Sequence, residues 1–191
     1  MADPWADGLW ADQLAPLRNA AARGMVPDDQ TVINVFEAMQ QQRSMRPTVI
    51  LRAMINACDW LGIVKVFEVM QQHGLVPDVS VYNAMISACP ERAQGLFDQL
   101  QRQGLAPDAE TYRLMIQLYP RRSREIFREI QQQGVVPYTI TYSHLMTLAA
   151  IDGSREQALE ILTHMQQHSV EMTVDIEEAL RSLEPNFDRE D

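Results

Sequence analysis

Residues 67–89 read Phe67-Glu-Val-Met-Gln-Gln-His-Gly-Leu-Val-Pro-Asp-Val-Ser-Val-Tyr-Asn-Ala-Met-Ile-Ser-Ala-Cys89, and this stretch decides the fold. It joins the end of one amphipathic helix to the start of another through a Gly-x-x-Pro-Asp turn. A glycine readily takes the left-handed conformation that ends a helix, and a proline soon after it prevents the helix from continuing. The sequence therefore predicts short helices whose ends are fixed by local chemistry.

The same turn recurs along the chain at intervals of thirty residues. The positions that keep this interval are Gly74, Gly104 and Gly134, with Pro47, Pro77, Pro107 and Pro137, Tyr82, Tyr112 and Tyr142, and Phe67, Phe97 and Phe127. Self-similarity with a period of about 20 to 50 residues is typical of repeat architectures. The sequence therefore predicts an all-α protein, an α-solenoid of stacked antiparallel helix pairs.

Each repeat contains two apolar helix faces. In residues 79–108, apolar residues at positions 82, 85, 86 and 89 share one face, and those at 93, 96, 97 and 100 share a second. Pro90 separates the two helices. The predicted repeats are 49–78, 79–108, 109–138 and 139–173, the last lengthened by an insertion at Asp152. Methionines at core spacing are predicted to fill the interior: Met39, Met54, Met70, Met85, Met115, Met146 and Met165.

The two ends of the chain depart from the repeat pattern. Residues 1–48 are predicted to form a degenerate helical region with two second-type helices in succession, at Leu14–Arg23 and around Val35–Met39. Either this pair packs as a degenerate first unit, or one helix has been deleted. Residues 174–191 are predicted to form a capping helix, Val174–Leu183, and a frayed acidic tail.

Charge is distributed unevenly. The formal net charge is −10, but residues 49–138 carry nine acidic and nine basic side chains, whereas residues 139–191 carry eleven acidic and three basic ones. The most basic stretch places Arg121, Arg124 and Arg128 on one helix face. This cluster is either a phosphate contact or a solvated face paired with neighbouring glutamates.

Several classes of function find no support in the sequence. No apolar run is long enough to span a membrane, and Cys58 and Cys89 are predicted to be small core residues of a protein from a reducing compartment. His164 and His168 have metal-ligand spacing without a third ligand, so a solvated face is predicted instead of a metal site. No phosphate loop, nucleophile–base set or carboxylate pair stands out. We therefore expect no enzyme activity, no cofactor and no small-molecule substrate.

The stretch 67–89, and the related stretch 126–142, closely resemble the pentatricopeptide repeat. The resemblance covers residues 28–173 and implies an α-solenoid whose known relatives mostly bind single-stranded organellar RNA, one base per repeat. In this family the residue after the tyrosine and the residue after the proline together select the base. The resemblance therefore implies four RNA-binding pairs: Arg52 with Asp78, Asn83 with Asp108, Arg113 with Tyr138, and Ser143 with Thr173.

The chain departs from the family pattern at most of these positions. Only Asn83/Asp108 is a standard pair, one that favours a pyrimidine; the arginines in two other pairs can hold a phosphate or stack on a base. The family also places an apolar residue against the base. Ile140 fits that role and Ile50 is a second candidate, whereas Ser80 and Glu110 do not fit.

Two functions follow as expectations. The first is binding of single-stranded RNA by a non-enzymatic repeat protein of organellar RNA metabolism, and the second is a scaffold that binds a protein partner. The resemblance implies a mitochondrial or plastid location. The acidic segment Met1–Asp7 has the features of neither a secretory signal nor a transit peptide, so we expect either a mature form or fragment of an organellar protein or a cytosolic protein.

Overall fold

The computed structural model describes residues 11–42, 47–74 and 77–183. In these residues it contains eleven α-helices and no β-strand. The helices are α1 (Ala11–Ala22), α2 (Asp29–Gln42), α3 (Pro47–Asn56), α4 (Trp60–Gln72), α5 (Val79–Ala88), α6 (Ala93–Arg102), α7 (Ala109–Leu118), α8 (Ser123–Gln133), α9 (Thr139–Ile151), α10 (Arg155–Gln167) and α11 (Val174–Leu183). None of the described helices is long and apolar enough to cross a bilayer. The predicted all-α, solenoid-type class is confirmed.

The chain divides into two compact units, Met1–Ala106 and Pro107–Asp191. In the first unit α3 packs against α4 and α5, and α5 packs against α6. In the second unit α7 packs against α8 and α9, and α9 packs against α10 and α11. The first helices of successive pairs therefore lie side by side within each unit. They are α3 and α5 in the first unit, and α7, α9 and α11 in the second.

The repeated aromatic residues form the interior of each unit. Tyr82, Tyr112 and Tyr142 are fully buried, and Phe127 is as well. All seven methionines predicted at core spacing are buried, which confirms their role as core residues. Burial of each such side chain stabilises the fold by about 1.5–3 kcal/mol. The interior therefore uses the same positions in each repeat, as the thirty-residue period predicts.

Local chemistry ends the helices as predicted. Gly104, just beyond α6, has a φ of +74°, and the backbone N–H of Leu105 donates to the carbonyl of Leu100 at 3.2 Å. This is the bonding pattern of a glycine-terminated helix. Pro90 does not start α6 directly. It opens a 3-10 turn, Pro90–Arg92, and α6 begins at Ala93.

The N-terminal helices α1 and α2 pack against each other and against α4. The apolar residues Leu14 and Leu17 of α1, and Val35 of α2, are buried in this packing. This favours the interpretation of the two helices as a degenerate first pair. Helix α11 has the predicted bounds, whereas the predicted acidic tail, 184–191, lies outside the described residues.

Candidate nucleic-acid interface

The eight predicted site residues share a regular placement on the first helices. Arg52, Asn83, Arg113 and Ser143 lie in α3, α5, α7 and α9 respectively, and Asp78, Asp108, Tyr138 and Thr173 each directly precede a first helix. We call the surface that carries these residues in each unit the first-helix face. Asn83 belongs to the first unit and Asp108 to the second, so their joint action on one base stays a prediction.

Asp78 and Asp108 are helix N-caps. The Oδ1 atom of Asp78 accepts from the backbone N–H of Val81 at 3.1 Å and from the Ser80 hydroxyl at 2.6 Å. The Oδ1 atom of Asp108 accepts from the backbone N–H of Thr111 at 2.8 Å, and the Thr111 hydroxyl accepts from the backbone N–H of Asp108 at 3.1 Å. An aspartate here therefore starts α5 or α7, a structural role worth about 0.5–2 kcal/mol.

Asn83 lies in the middle of α5 and is only 7% exposed. A buried amide must find hydrogen-bond partners, since leaving one unsatisfied costs about 1–3 kcal/mol. The side chain of Asn83 therefore lies at the edge of the core and does not project into solvent. Arg52, at the equivalent position of α3, is partly exposed.

Arg113 is held by its own helix. Its Nε and Nη2 atoms donate to the two carboxylate oxygens of Glu110 at 2.8 and 2.6 Å, and Nη1 donates to the Oε1 atom of Gln117 at 3.1 Å. The hydrogen bonds that Arg113 donates to Glu110, together with the negative charge of that carboxylate, raise the pKa of Arg113. Arg113 is therefore a fixed and locally neutralised cation.

The pair Ser143 and Thr173 is brought into direct contact. Their hydroxyl oxygens lie 3.2 Å apart, within hydrogen-bond distance. Beside them a groove of about 510 Å³ runs between α9 and α11, with the exposed side chains of Ile140 and Ile151 on one wall. The α11 wall carries acidic residues, Asp175 and Glu178. This groove therefore combines small hydroxyls, exposed apolar side chains and negative charge.

The two apolar residues expected to contact a base differ in exposure. Ile140 is 65% exposed at the start of α9, as this role requires. Ile50 is fully buried, so its candidate role as the apolar residue against a base is wrong: the side chain belongs to the core of the first unit. Glu110 instead binds Arg113, which explains the departure from an apolar residue there.

Of the basic cluster, Arg124 and Arg128 lie on α8, a second helix, whereas Arg121 lies in the 3-10 turn Pro120–Arg122 before it, and part of the cluster is paired. Arg124 binds Glu156 of α10 at 2.5 Å, and Arg122 in the preceding turn binds Glu125 at 2.8 Å. Arg121 and Arg128 are exposed. The cluster is therefore partly neutralised and belongs to a different helix row from the predicted site residues of its unit.

The predicted solvated position of His164 is wrong. It is buried, not solvated, and its Nδ1 atom is hydrogen-bonded to the Tyr142 hydroxyl at 2.7 Å. Burial, and then the adjacent His168, lower the pKa of His164. In the preceding repeat Glu129 takes this place, 3.4 Å from the Tyr112 hydroxyl. The sequence indicates this position of His164 once the inserted residues near Asp152 are taken into account, because the insertion aligns His164 with Glu129 of the preceding repeat.

Neither cysteine nor histidine forms a reactive or metal-binding cluster in the described part of the chain. Burial raises the pKa of Cys58 to about 12 and that of Cys89 to about 11, so both remain protonated thiols at neutral pH. The described residues contain no group of three or more side chains suited to hold a metal ion.

The chain is a helical-repeat protein: its helix pairs carry a polar residue, which differs from pair to pair, at the same position of each first helix. The sequence profile of the pentatricopeptide repeat domain matches residues 45–92 and 125–176, a little over half of the chain. The chain belongs to the pentatricopeptide repeat family. Among curated proteins, none matches this sequence significantly.

Several solved structures are similar to this chain, and three of them are described. The pentatricopeptide repeat protein PPR10 from maize is 19% identical with a TM-score of 0.56, over 91% of this chain and 30% of that one. PPR10 in complex with an 18-nt psaJ RNA element is 20% identical with a TM-score of 0.53, over 92% of this chain and 30% of that one. The pentatricopeptide repeat domain of Arabidopsis thaliana protein-only RNase P 1, in complex with tRNA, is 13% identical with a TM-score of 0.59, over 95% of this chain and 98% of that one.

These identities are low, so the similarity shows the fold alone. The chain spans about 30% of the length of PPR10 and nearly the whole length of the Arabidopsis domain.

Proposed function

We propose that this chain binds single-stranded RNA on its first-helix face, without catalysing a reaction on it, as part of RNA metabolism in a mitochondrion or plastid. The observation that carries the proposal is the regular placement of Arg52, Asn83, Arg113 and Ser143 on successive first helices. A stack of helices that presents one variable residue per repeat can meet one base per repeat. Family membership and the RNA in two of the similar structures support the same class of ligand.

The charge of the chain shapes how it would bind RNA. Two arginines serve the first-helix face, and one of them, Arg113, is locally neutralised by Glu110. Affinity would then come from stacking and from hydrogen bonds to bases more than from phosphate attraction. Because phosphate contacts set the salt dependence of binding, we expect a shallow one.

A fluorescein-labelled pool of random single-stranded 12-mer RNAs tests the proposal. Fluorescence anisotropy at 25 and 150 mM salt should detect saturable binding that survives the higher salt, and a hairpin duplex of the same composition should compete poorly. The recovered RNA should be full length. No binding of the pool at 25 mM salt, where phosphate attraction is strongest, would contradict RNA binding.

A protein-binding scaffold is the second candidate, and one observation favours it. The groove between α9 and α11 exposes Ile140 and Ile151 beside Asp175 and Glu178. Acidic side chains disfavour a phosphate backbone and favour a segment that carries both apolar and basic residues. If the RNA pool fails to bind, this groove is the place to test for a protein partner.

A further inference from the structure

The groove between α9 and α11 is formed by one face of each helix. Ile140 and Ile151 line it from α9 at positions i and i+11. Asp175, Glu178 and Ser182 line it from α11 at positions i, i+3 and i+7. Residues at such spacings lie on one side of a helix. The groove therefore follows the two helices along their length.

The two isoleucines expose apolar surface along this groove. Ile140 is 65% exposed and Ile151 is 75% exposed. Because the chain advances by about three helical turns between them, the two side chains lie on the same side of α9, about 16 Å apart along its axis. Single exposed apolar residues are common on protein surfaces, whereas apolar side chains that share one groove are typical of an interaction site. The groove is therefore long enough and apolar enough to hold a structured segment of a partner.

The hydroxyl groups on the groove walls already donate their protons within their own helices. The Oγ1 atom of Thr147 donates to the carbonyl of Ser143 at 2.9 Å, and the Oγ atom of Ser182 donates to the carbonyl of Ala179 at 2.6 Å. Among the described residues that line the groove, only His144 can carry a positive charge. Phosphates are bound by cationic side chains and by N–H and O–H donors. The groove therefore offers little to an RNA backbone.

The charge of the groove lies on its α11 wall and is negative. Asp175 and Glu178 line this wall, whereas Arg181 of the same helix binds Glu177 at 3.6 Å, and neither of these two residues lines the groove. A positively charged ligand complements such a wall, whereas an RNA strand would bring its phosphates against it. The charge therefore favours a basic partner.

We propose that this groove binds an amphipathic helix of a partner protein. Its apolar side chains pack against Ile140 and Ile151, and its lysine or arginine side chains face Asp175 and Glu178. An apolar face that repeats at i, i+4, i+7 and i+11 spans the distance between the isoleucines with about three turns of helix. This inference rests on the second candidate function, the protein-binding scaffold, and its test does not require RNA binding.

A fluorescein-labelled helical peptide of about 14 residues, with leucines along one face and lysines beside them, is the probe. Fluorescence anisotropy at 25 mM salt should show saturable binding of this peptide to the full chain. One control peptide carries glutamates in place of the lysines, and a second has the same composition in scrambled order. Both controls should bind at least about tenfold more weakly, because one loses the charge complementarity and the other loses the apolar face.

Two pairs of variants locate the peptide. Ile151→Ala should weaken binding by about 5- to 30-fold, because it removes an apolar contact. Leu159→Ala, the matched control, truncates a similarly exposed side chain on α10 outside the groove and should bind within about twofold of the unchanged chain. Glu178→Gln should weaken binding by about two- to fivefold at 25 mM salt and less at 300 mM, whereas Glu177→Gln, outside the groove, should change it by less than about twofold. Circular dichroism should show the same helical content in all four variants.

Each other outcome counts against the docked helix. Absence of saturable binding, or equal binding of the scrambled peptide, would overturn the proposal. Equal losses in Ile151→Ala and Leu159→Ala would place the peptide outside the groove. Displacement of the peptide by single-stranded oligouridine, together with weaker RNA binding by Ile151→Ala, would make the groove an RNA site. A dimer in analytical ultracentrifugation that Ile151→Ala converts to a monomer would make the occupant a second copy of this chain.

Discussion

Replacing Phe127 by alanine tests whether the repeated phenylalanine holds a repeat together. Phe127 is fully buried in α8, and its ring meets that of His164 edge-on, with centroids 5.4 Å apart and an angle of 78° between the planes. Removing a buried phenylalanine side chain costs about 3–5 kcal/mol through lost transfer energy and the cavity left behind. The edge-on contact adds about 0.5–1.5 kcal/mol. We therefore expect a loss in the upper part of that range, about 4–5 kcal/mol.

Urea denaturation followed by far-ultraviolet circular dichroism measures this loss. Gln132→Ala, on the exposed side of the same helix, is the matched control and should change the free energy of unfolding by less than about 0.5 kcal/mol. Phe127→Leu should give an intermediate loss and remains measurable if the alanine variant does not fold. Similar losses for Phe127→Ala and Gln132→Ala would refute the assigned helix faces.

Two further predictions concern charge. Because burial and His168 lower the pKa of His164 in the folded state, the unfolded chain takes up the proton first, and stability should fall as the pH drops below about 6.5. His164→Gln should remove that part of the fall, measured as the shift of the urea midpoint between pH 7.5 and 5.5; an identical shift in both proteins would contradict the assignment. Neutralising the acidic groove wall with Asp175→Asn and Glu178→Gln should tighten RNA binding roughly twofold to fivefold at 25 mM salt and much less at 300 mM. Equal tightening at both salt concentrations would show that the effect is not electrostatic.

The repeat itself could be predicted because its signals are local. Glycine and proline end the helices by backbone geometry alone, as at Gly104, and the apolar spacing identifies the buried face of each helix. For the same reason the bounds of α11 agree with the prediction from the sequence. Position in the repeat also placed Ser143 and Thr173 as a pair, and their hydroxyls are in contact.

The site details that depend on neighbouring side chains could not be predicted. The repeat pattern shows only that Glu110 does not fit an apolar position, whereas its role comes from the hydrogen bonds that it accepts from Arg113 on α7. The sequence predicts a candidate base contact at Ile50 and a solvated face at His164, because spacing along one helix does not show which other helix covers a residue. Each is buried by its packing partners, which only the folded chain defines.

The proposal that RNA lies on the first helices is tested most directly by comparing two double variants. Arg52→Ala with Asn83→Ala removes two predicted RNA contacts, whereas Arg121→Ala with Arg128→Ala removes two exposed cations from the second helix α8 and the 3-10 turn before it. The account predicts that the first double variant loses at least about tenfold in affinity for the single-stranded RNA pool, since each good base contact is worth about 1–3 kcal/mol. The second should lose less than about threefold although it removes more positive charge. The reverse order of losses, with both variants folded, would contradict binding on the first-helix face.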